Sequence, residues 1–301
     1  MKPNQLQAFV AVATQHSIRA AARSLDVSAP AVTKIVRELE RELGAALVER
    51  SVKGITLTEC GAALLPRAQL LLDDMRRARD EVAQLRDGNA GQVRVAVSAA
   101  FAQTLFIPTF RRLRQRRPGV SLHVSEAGLA GILTRLREPQ VDFAVMHADP
   151  ELLQDEFECQ PLFPVRLVVG MRRQHPLRNR RSMHELLNAE WALPGDGGDP
   201  LSATTRLFAS LGMPVPPRVV QGDSLTAALA LVSQTDHLGL FVEPLADAVF
   251  KNLGIRRLEL DDALPVLQVC VIQRKGSDLT PAARQFIACL REVLDETQLA
   301  P

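Results

Sequence analysis

Between Glu59 and Arg86, Gly61, Leu64, Ala68, Leu71, Met75, Ala78, Val82 and Leu85 recur at steps of 3, 4, 3, 4, 3, 4 and 3. A strand repeats every two residues, and a helix lying on its own domain shows a broader stripe. The spacing therefore predicts one long helix with a narrow apolar seam, which a second copy buries in a coiled coil. Leu65, Leu70 and Leu72 widen the stripe and keep open the alternative of packing on its own domain. Pro66 lies near the start of this helix, where it introduces a kink or marks the first turn. Asp87-Gly88-Asn89-Ala90-Gly91 reads as a flexible linker. The seam thus cuts the chain into residues 1–58, a dimerising helix and hinge at 59–90, and a remainder at 91–301.

Ahead of the seam, Leu6, Phe9, Val10 and Ala13 share one face of a first helix. Ser17 is placed to cap a second, from Ile18 to Leu25, and Asp26-Val27 forms a short turn. Ser28 caps a third, with Pro30 in its first turn and Leu43-Gly44 as its stop. Two short helices across a tight turn predict a helix-turn-helix, and an ordinary helical bundle with a basic face is the competing reading. At 100° per residue, Val32, Val36, Leu39 and Leu43 of the third helix face a core. Ala29, Pro30, Thr33, Lys34 and Arg37 lie about 120° away, near the N-terminal end that enters a major groove in such motifs. Leu47 to Arg50 and Ile55 to Leu57 read as strands around the turn Ser51-Val52-Lys53-Gly54. This is a wing with Arg50 and Lys53 placed to meet phosphates.

Charge supports this layout only after the chain is divided. The 36 basic and 34 acidic residues leave a net charge of +2. By segment the net charge is +3 for 1–58, −1 for 59–90 and 0 for 91–301. Arg111, Arg112, Arg114, Arg116 and Arg117 form a denser cluster than any in the first segment, so charge alone does not locate a nucleic-acid site.

These residues carry a family resemblance. Ser17-Ile18-Arg19-Ala20-Ala21-Ala22, Leu25, Ser28, Pro30-Ala31-Val32-Thr33, Leu39-Glu40, Leu43-Gly44, Leu47, Arg50, Leu57-Thr58 and Gly61 resemble the DNA-binding region of LysR-type transcriptional regulators. Ala29 stands where that family usually has glutamine, Val48 where it usually has phenylalanine, and Thr33 replaces the usual serine. The resemblance implies promoter DNA as partner, with Ser28, Pro30, Thr33, Lys34 and Arg37 facing the major groove or its flanking phosphates. Lys53 would meet the backbone beside the wing, and Arg50 would do the same or brace Glu49 or the helix end. It also implies a dimer through the linker helix, usually assembled further into a homotetramer, with RNA polymerase as a candidate further partner.

After Gly91 the pattern alternates. Val93 to Val97, Ser121 to Ser125, Asp142 to Met146, Arg166 to Gly170, Trp191 to Leu193, Arg218 to Gln221, Leu238 to Val242, Ile255 to Leu260 and Val266 to Ile272 read as strands. Helical patterns cover Phe106 to Arg116, Leu129 to Arg137, Ser202 to Leu211, Ser224 to Val232 and Pro281 to Glu296. Strands alternating with helices predict open α/β sheets, which bind ligands beyond the C-terminal ends of their strands. Ser98 with the N–H groups of Ala99, Ala100 and Phe101 suits an anion there, with His147 as a second polar contact and Phe101 as an apolar wall. Gly195, in Pro194 to Asp199, and Phe241, in Phe241 to Glu243, fall at later strand ends, as does Asp223-Ser224. Each has a plainer reading: Ser98 as a helix cap, His147 as an ordinary histidine, and Pro194 to Gly198 as a simple loop.

The resemblance implies that this region is an effector-binding domain of two lobes, like a periplasmic binding protein. Lobe I would hold about 91–161 and 268–301, and lobe II about 162–267, with crossings near Pro161 to Pro164 and Pro265 to Gln268. The expected fold is α/β, with an N-terminal winged helix-turn-helix and a coiled-coil linker helix.

Other classes lack their signatures. No G-x-S-x-G, Walker loop, G-x-G-x-x-G between strand and helix, or H-E-x-x-H occurs, so no catalytic residue, cofactor or enzymatic activity is expected. Cys60, Cys159, Cys270 and Cys289 lie 99, 111 and 19 positions apart, without metal-ligand spacing, and read as reduced thiols. No apolar run approaches a membrane span, and Met1 to Thr14 does not read as a secretory signal, so a cytoplasmic protein is expected. The competing functional reading is a small-molecule binding or transport protein whose N-terminal helices only dimerise. The effector expected by analogy is a small organic anion, aromatic acid or sulfonate.

Overall fold

The first helix, α1 (Pro3–Gln15), starts with proline in its first turn, and the Gln5 side chain accepts the Lys2 backbone N–H at 2.7 Å. The computed structural model describes residues 1–51, 54–87, 91–148, 150, 153, 155–195 and 203–297. By contact the chain divides into two units: Met1–Gly88 with Arg137–Gln140, and Asn89–Leu136 with Val141–Pro301.

In the first unit, Ser17 caps α2 (Ile18–Ser24) by accepting the Ala20 N–H, and Ser28 caps α3 (Ala29–Leu43) by accepting that of Ala31. Each such cap contributes about 1 kcal/mol by satisfying an orphan donor. Between them Asp26 takes φ +54°, the left-handed turn that lets two short helices meet, and Gly44 at φ +68° ends α3. The inward faces of α1 to α3 bury Val12, Ala21, Ala22, Val32 and Val36 together with Ile55. Strand β1 (Val48–Ser51) pairs antiparallel with β2 (Gly54–Leu57), forming the wing strands. Two side chains fasten the wing. The Glu40 carboxylate accepts the N–H groups of Leu47 at 2.8 Å and Val48 at 3.2 Å, and the His16 ring lies 3.2 Å from the Ile55 carbonyl oxygen.

Thr58 hands the chain to α4 (Glu59–Asp87): its hydroxyl donates to the Ala46 carbonyl and accepts the Gly61 N–H. Pro66 lies inside this helix and not in its first turn. The apolar seam has two environments. Gly61, Leu64 and Ala68, widened by Leu65 and Leu72, pack with Leu6, Phe9, Leu39 and Leu47 of the same unit. Further along, Leu71, Val82 and Leu85 are 45%, 67% and 76% exposed. The expectation of one continuous coiled-coil seam is therefore corrected: its first turns belong to the monomer core. On the opposite side, Asp73 bridges Arg76 at 2.8 Å and Arg77 at 2.6 Å.

Among the described residues the second unit is built on nine strands. Parallel β3 (Gln92–Val97), β4 (Ser121–Glu126) and β5 (Phe143–His147) form one end, and β7 (Glu190–Leu193), β8 (Val219–Gln221) and β9 (His237–Val242) the other. Two long strands join these ends. Strand β6 (Phe157–Arg172) pairs antiparallel with β11 (Val266–Arg274) over Phe157 to Arg166, then with β9 and the short β10 (Ile255–Arg257) over Leu167 to Arg172. Strand β11 in turn pairs with β5.

Helices α5 (Ala99–Gln103), α6 (Phe106–Arg116), α7 (Leu129–Arg137) and α11 (Pro281–Glu296) accompany the first end. Helices α8 (Ala203–Ser210), α9 (Leu225–Gln234) and α10 (Glu243–Leu253) accompany the second. Each end has its own cores. Phe143 and Phe286 sit in one cluster with ring centroids 5.6 Å apart, and Trp191 and Phe208 in another at 5.8 Å.

One expectation is corrected here, and two features that the sequence left open are filled in. Strand β6 begins nine residues before the expected Arg166, because Pro161 and Pro164 do not break it: the β6–β11 register shifts between Val269 and Cys270, a bulge of the kind that accommodates proline. Helix α10 was absent from the sequence reading; Pro244 stands in its first turn and Gly254, at φ +68°, at its end. Two of the five clustered arginines form an internal tie, since Arg112 and Arg116 pair with Glu292 and Glu296 of α11.

Candidate functional site

On α3, burial of Val32, Val36 and Leu39 leaves a second face outward. Ser28, Pro30, Lys34 and Arg37 are exposed on it, with the Lys34 side chain 79% accessible and its Nζ 4.0 Å from Glu38. Thr33 is half-buried and donates its hydroxyl to the Ala29 carbonyl at 3.0 Å, so it presents lone pairs and a methyl instead of a free donor. The polar groups cluster toward the N-terminal part of the helix, whose dipole favours phosphate. Arg50 lies on β1 opposite Ile55; its side chain and all of Lys53 fall outside the described residues.

The second unit contains a cavity of about 420 Å³, within the size range of small-molecule sites. Its walls come from chain segments far apart in sequence, including Ser98 to Ala100, Glu126 to Gly131, Met146 to Ala148, Pro194-Gly195, Gly222 to Leu225, Leu240 to Val242 and Val266 to Gln268. Six of the seven expected effector contacts line it: Ser98, Ala99, Ala100, His147, Gly195 and Phe241. Phe101 does not. It is buried in the cluster of Val93, Val95, Leu105 and Leu113, because the first turn of α5 rotates it inward, and the expectation of an apolar wall there is corrected.

Ser98 does cap α5. Its oxygen accepts the Phe101 N–H at 3.3 Å, leaving its proton available to a ligand. Ser98 lies beyond β3 and His147 ends β5, while Val269, directly after Gln268, is the register partner of His147. Burial holds the His147 imidazole below the ordinary histidine range. It therefore presents a neutral ring with one donor and one acceptor. Across the cavity Phe241 stands edge-on to Phe250 at 5.2 Å. Sequence reading missed Leu133, Leu153, Arg206, Ala228 and Leu245, all of which line the cavity. For Leu133, Ala228 and Leu245 the signal is only the apolar period of α7, α9 and α10, shared by any packed helix, while Arg206 lies on α8 and Leu153 outside the helices. The stretch Asp196 to Asp199 lies outside the described residues.

Residues 3–62 match the family model of bacterial regulatory helix-turn-helix proteins of the lysR family, and residues 86–295 that of the LysR substrate binding domain. The chain belongs to the LysR family. It is a LysR-type transcriptional regulator with a helix-turn-helix and an effector-binding domain, in a family of regulators and not of enzymes.

Among similar proteins, the HTH-type transcriptional regulator GbpR of Azospirillum brasilense is 28% identical over 298 residues, covering 98% of this chain and 87% of its own. An SDS degradation transcriptional activation protein of a Pseudomonas species is 29% identical over 305 residues, covering 99% and 97%. In fold, the chain is similar to full-length CbnR complexed with its target DNA, with TM-score 0.68, 23% identity and coverage of 97% and 100%. It is also similar to a full-length OxyR from Pseudomonas aeruginosa, with TM-score 0.72, 23% identity and coverage of 100% and 96%. No described helix is long and apolar enough to cross a membrane.

Proposed function

We propose that this LysR-family regulator grips promoter DNA through Ser28, Pro30, Thr33, Lys34 and Arg37 of α3, with Arg50 and Lys53 on the wing. In this reading it changes transcription when a small effector occupies the cavity lined by Ser98, Ala99, Ala100, His147, Gly195 and Phe241. The observation that carries the DNA side is the outward cationic face of a capped α3 inside the matched helix-turn-helix. The domain plan is residues 1–58 for DNA, 59–90 for pairing and 91–301 for the effector. Two copies associate through the exposed part of α4, and the dimer assembles into a homotetramer. The protein works in the cytoplasm, and RNA polymerase is a candidate contact at the promoter. CbnR was solved with its target DNA, which supports the DNA side by likeness of fold.

A salt titration of promoter retardation tests the orientation. Lys34→Ala and Lys53→Ala should each weaken binding to all sequences and flatten the slope of log affinity against log salt by about 1. Unchanged slopes in both variants would remove these residues from the interface. Effector occupancy acts only through its different affinity for the two regulatory states.

A further inference from the structure

Two hydrophobic clusters face the cavity. Leu133, Met146 and Leu153 belong to the cluster between β5 and α7, and Leu225, Phe241 and Leu245 to the one around β9, α9 and α10. Of the uncharged hydrogen-bonding side chains that line it, Ser98, His147 and Gln268 sit just beyond β3, at the end of β5 and within β11, while Ser224 caps α9. The His147 ring makes no hydrogen bond to a described residue, and the Gln268 side chain donates to the adjacent Val269 carbonyl at 3.4 Å. Both are positioned to serve a ligand.

The charges lining the cavity limit that ligand further. Glu126 and Asp223 contribute two carboxylates and Arg206 one guanidinium, so the described lining carries a net negative charge. Gly128 heads α7, its carbonyl accepting the Ile132 N–H at 2.9 Å. An Asp223 carboxylate oxygen stands 3.0 Å from where a Cβ on Gly128 would be. The protein's own carboxylate thus already lies at the helix end that would otherwise attract a second anionic group.

We infer that the effector is a predominantly aliphatic molecule with a single hydrogen-bonding head group of no more than one charge, its head at Ser98, His147 and Gln268 and its tail between the two leucine-rich walls. This inference rests on the reading of the cavity as the effector site. It narrows the ligand to a chain with one head, and disfavours compact polar metabolites and dicarboxylates. A polyanion would face two carboxylates against one guanidinium in a largely apolar enclosure.

The test is calorimetric titration of the full-length chain with straight-chain monocarboxylates from butyrate to decanoate, below their aggregation concentrations. The matching 1-alkanols and α,ω-dicarboxylates serve as comparisons. Each added methylene should tighten Kd by about fourfold, the ratio that burial of one CH2 corresponds to, until the tail fills the cavity. Dicarboxylates should bind more than tenfold more weakly than monocarboxylates of equal length. Ala228→Phe, which places a ring against the tail, should shift the optimum to shorter chains, and His147→Phe should weaken every member by a similar factor.

Affinity independent of chain length, tightest binding by a dicarboxylate, or a series unmoved by both variants would overturn the inference. Promoter retardation by the same preparation keeps the two readings apart. No binding by any probe from a protein that still retards DNA refutes the ligand class alone, whereas loss of retardation refutes the regulator reading while the titrations still decide this one.

Discussion

A methyl group added at Gly61 would sit 2.0 Å from the Leu47 carbonyl oxygen, and neither partner is a flexible side-chain end. That oxygen also accepts the Thr58 N–H, so it is held in place where the wing meets α4. Gly61→Ala should therefore destabilise the first unit by about 1–3 kcal/mol, against the small gain that alanine gives in an unobstructed helix. Denaturant midpoints by circular dichroism at 222 nm check the sign, and a stabilised variant would show that the contact relaxes freely.

His147 allows a pH prediction. Its folded-state affinity for a proton is depressed by burial, while the unfolded chain takes one up below about pH 6.5. The unfolded state then binds more protons, so this contribution is present above that pH and is lost as pH falls toward the folded value. The melting temperature should decline between about pH 7 and 5 more steeply in the parent than in His147→Gln. Equal slopes would assign the decline to other groups. Glu185 and Glu292, whose carboxyls are held low mainly by hydrogen bonds from Arg181 and Arg116, act in a separate window below their ordinary value of 4.5.

Among the elements, α4 joins two kinds of packing in one repeat. Val82 and Leu85 are exposed in the single chain, and the net charge of residues 59–90 is only −1, so little electrostatic repulsion opposes a second copy. Val82→Glu with Leu85→Glu should shift the protein toward monomer in analytical ultracentrifugation and weaken DNA retardation, since one half-site is then gripped at a time. Unchanged sedimentation would place the oligomer contact elsewhere.

The same helix shows how far the primary structure could be read. Its length and seam were legible because the heptad repeat is long. The division of that seam was not, because Leu64 and Leu65 find Leu6, Phe9 and Leu39 only after α1 and α3 have folded. Helix α3 was legible almost to the residue, since Ser28, Pro30 and Gly44 all mark its ends. Strand β6 was half concealed by Pro161 and Pro164, which break strands unless the strand bulges, as β6 does at Leu162 between Pro161 and Phe163. In the cavity, strand-end residues such as Ser98 and His147 could be anticipated from topology. Leu133, Arg206 and Leu245 could not, because nothing local marks which exposed turn of a helix will face a cavity.

At the scale of the whole molecule, the chain has one tryptophan and no tyrosine. Trp191 is buried against Phe208, with its indole N–H donated to the Leu186 carbonyl at 3.0 Å, so intrinsic emission reports on the second unit alone. Because the two units have separate cores, Gly61→Ala should lower the ellipticity midpoint of the first unit while leaving the Trp191 emission midpoint in place. Coincident shifts would mean that the units unfold as one.

The ends of the second unit are joined by β6 and β11, which are hydrogen-bonded to each other along Phe157 to Arg166. They do not connect as two loose tethers. Rotation of one end against the other must wind or unwind a two-stranded ribbon whose twist has a preferred hand. Such a ribbon is a torsion bar: any turn of one end against the other would store work and return it on release, with restoring torque at every intermediate angle. The ladder is irregular at the rung between Val269 and Cys270, where a bulge adds local twist, so any torque along the ribbon would act on this rung.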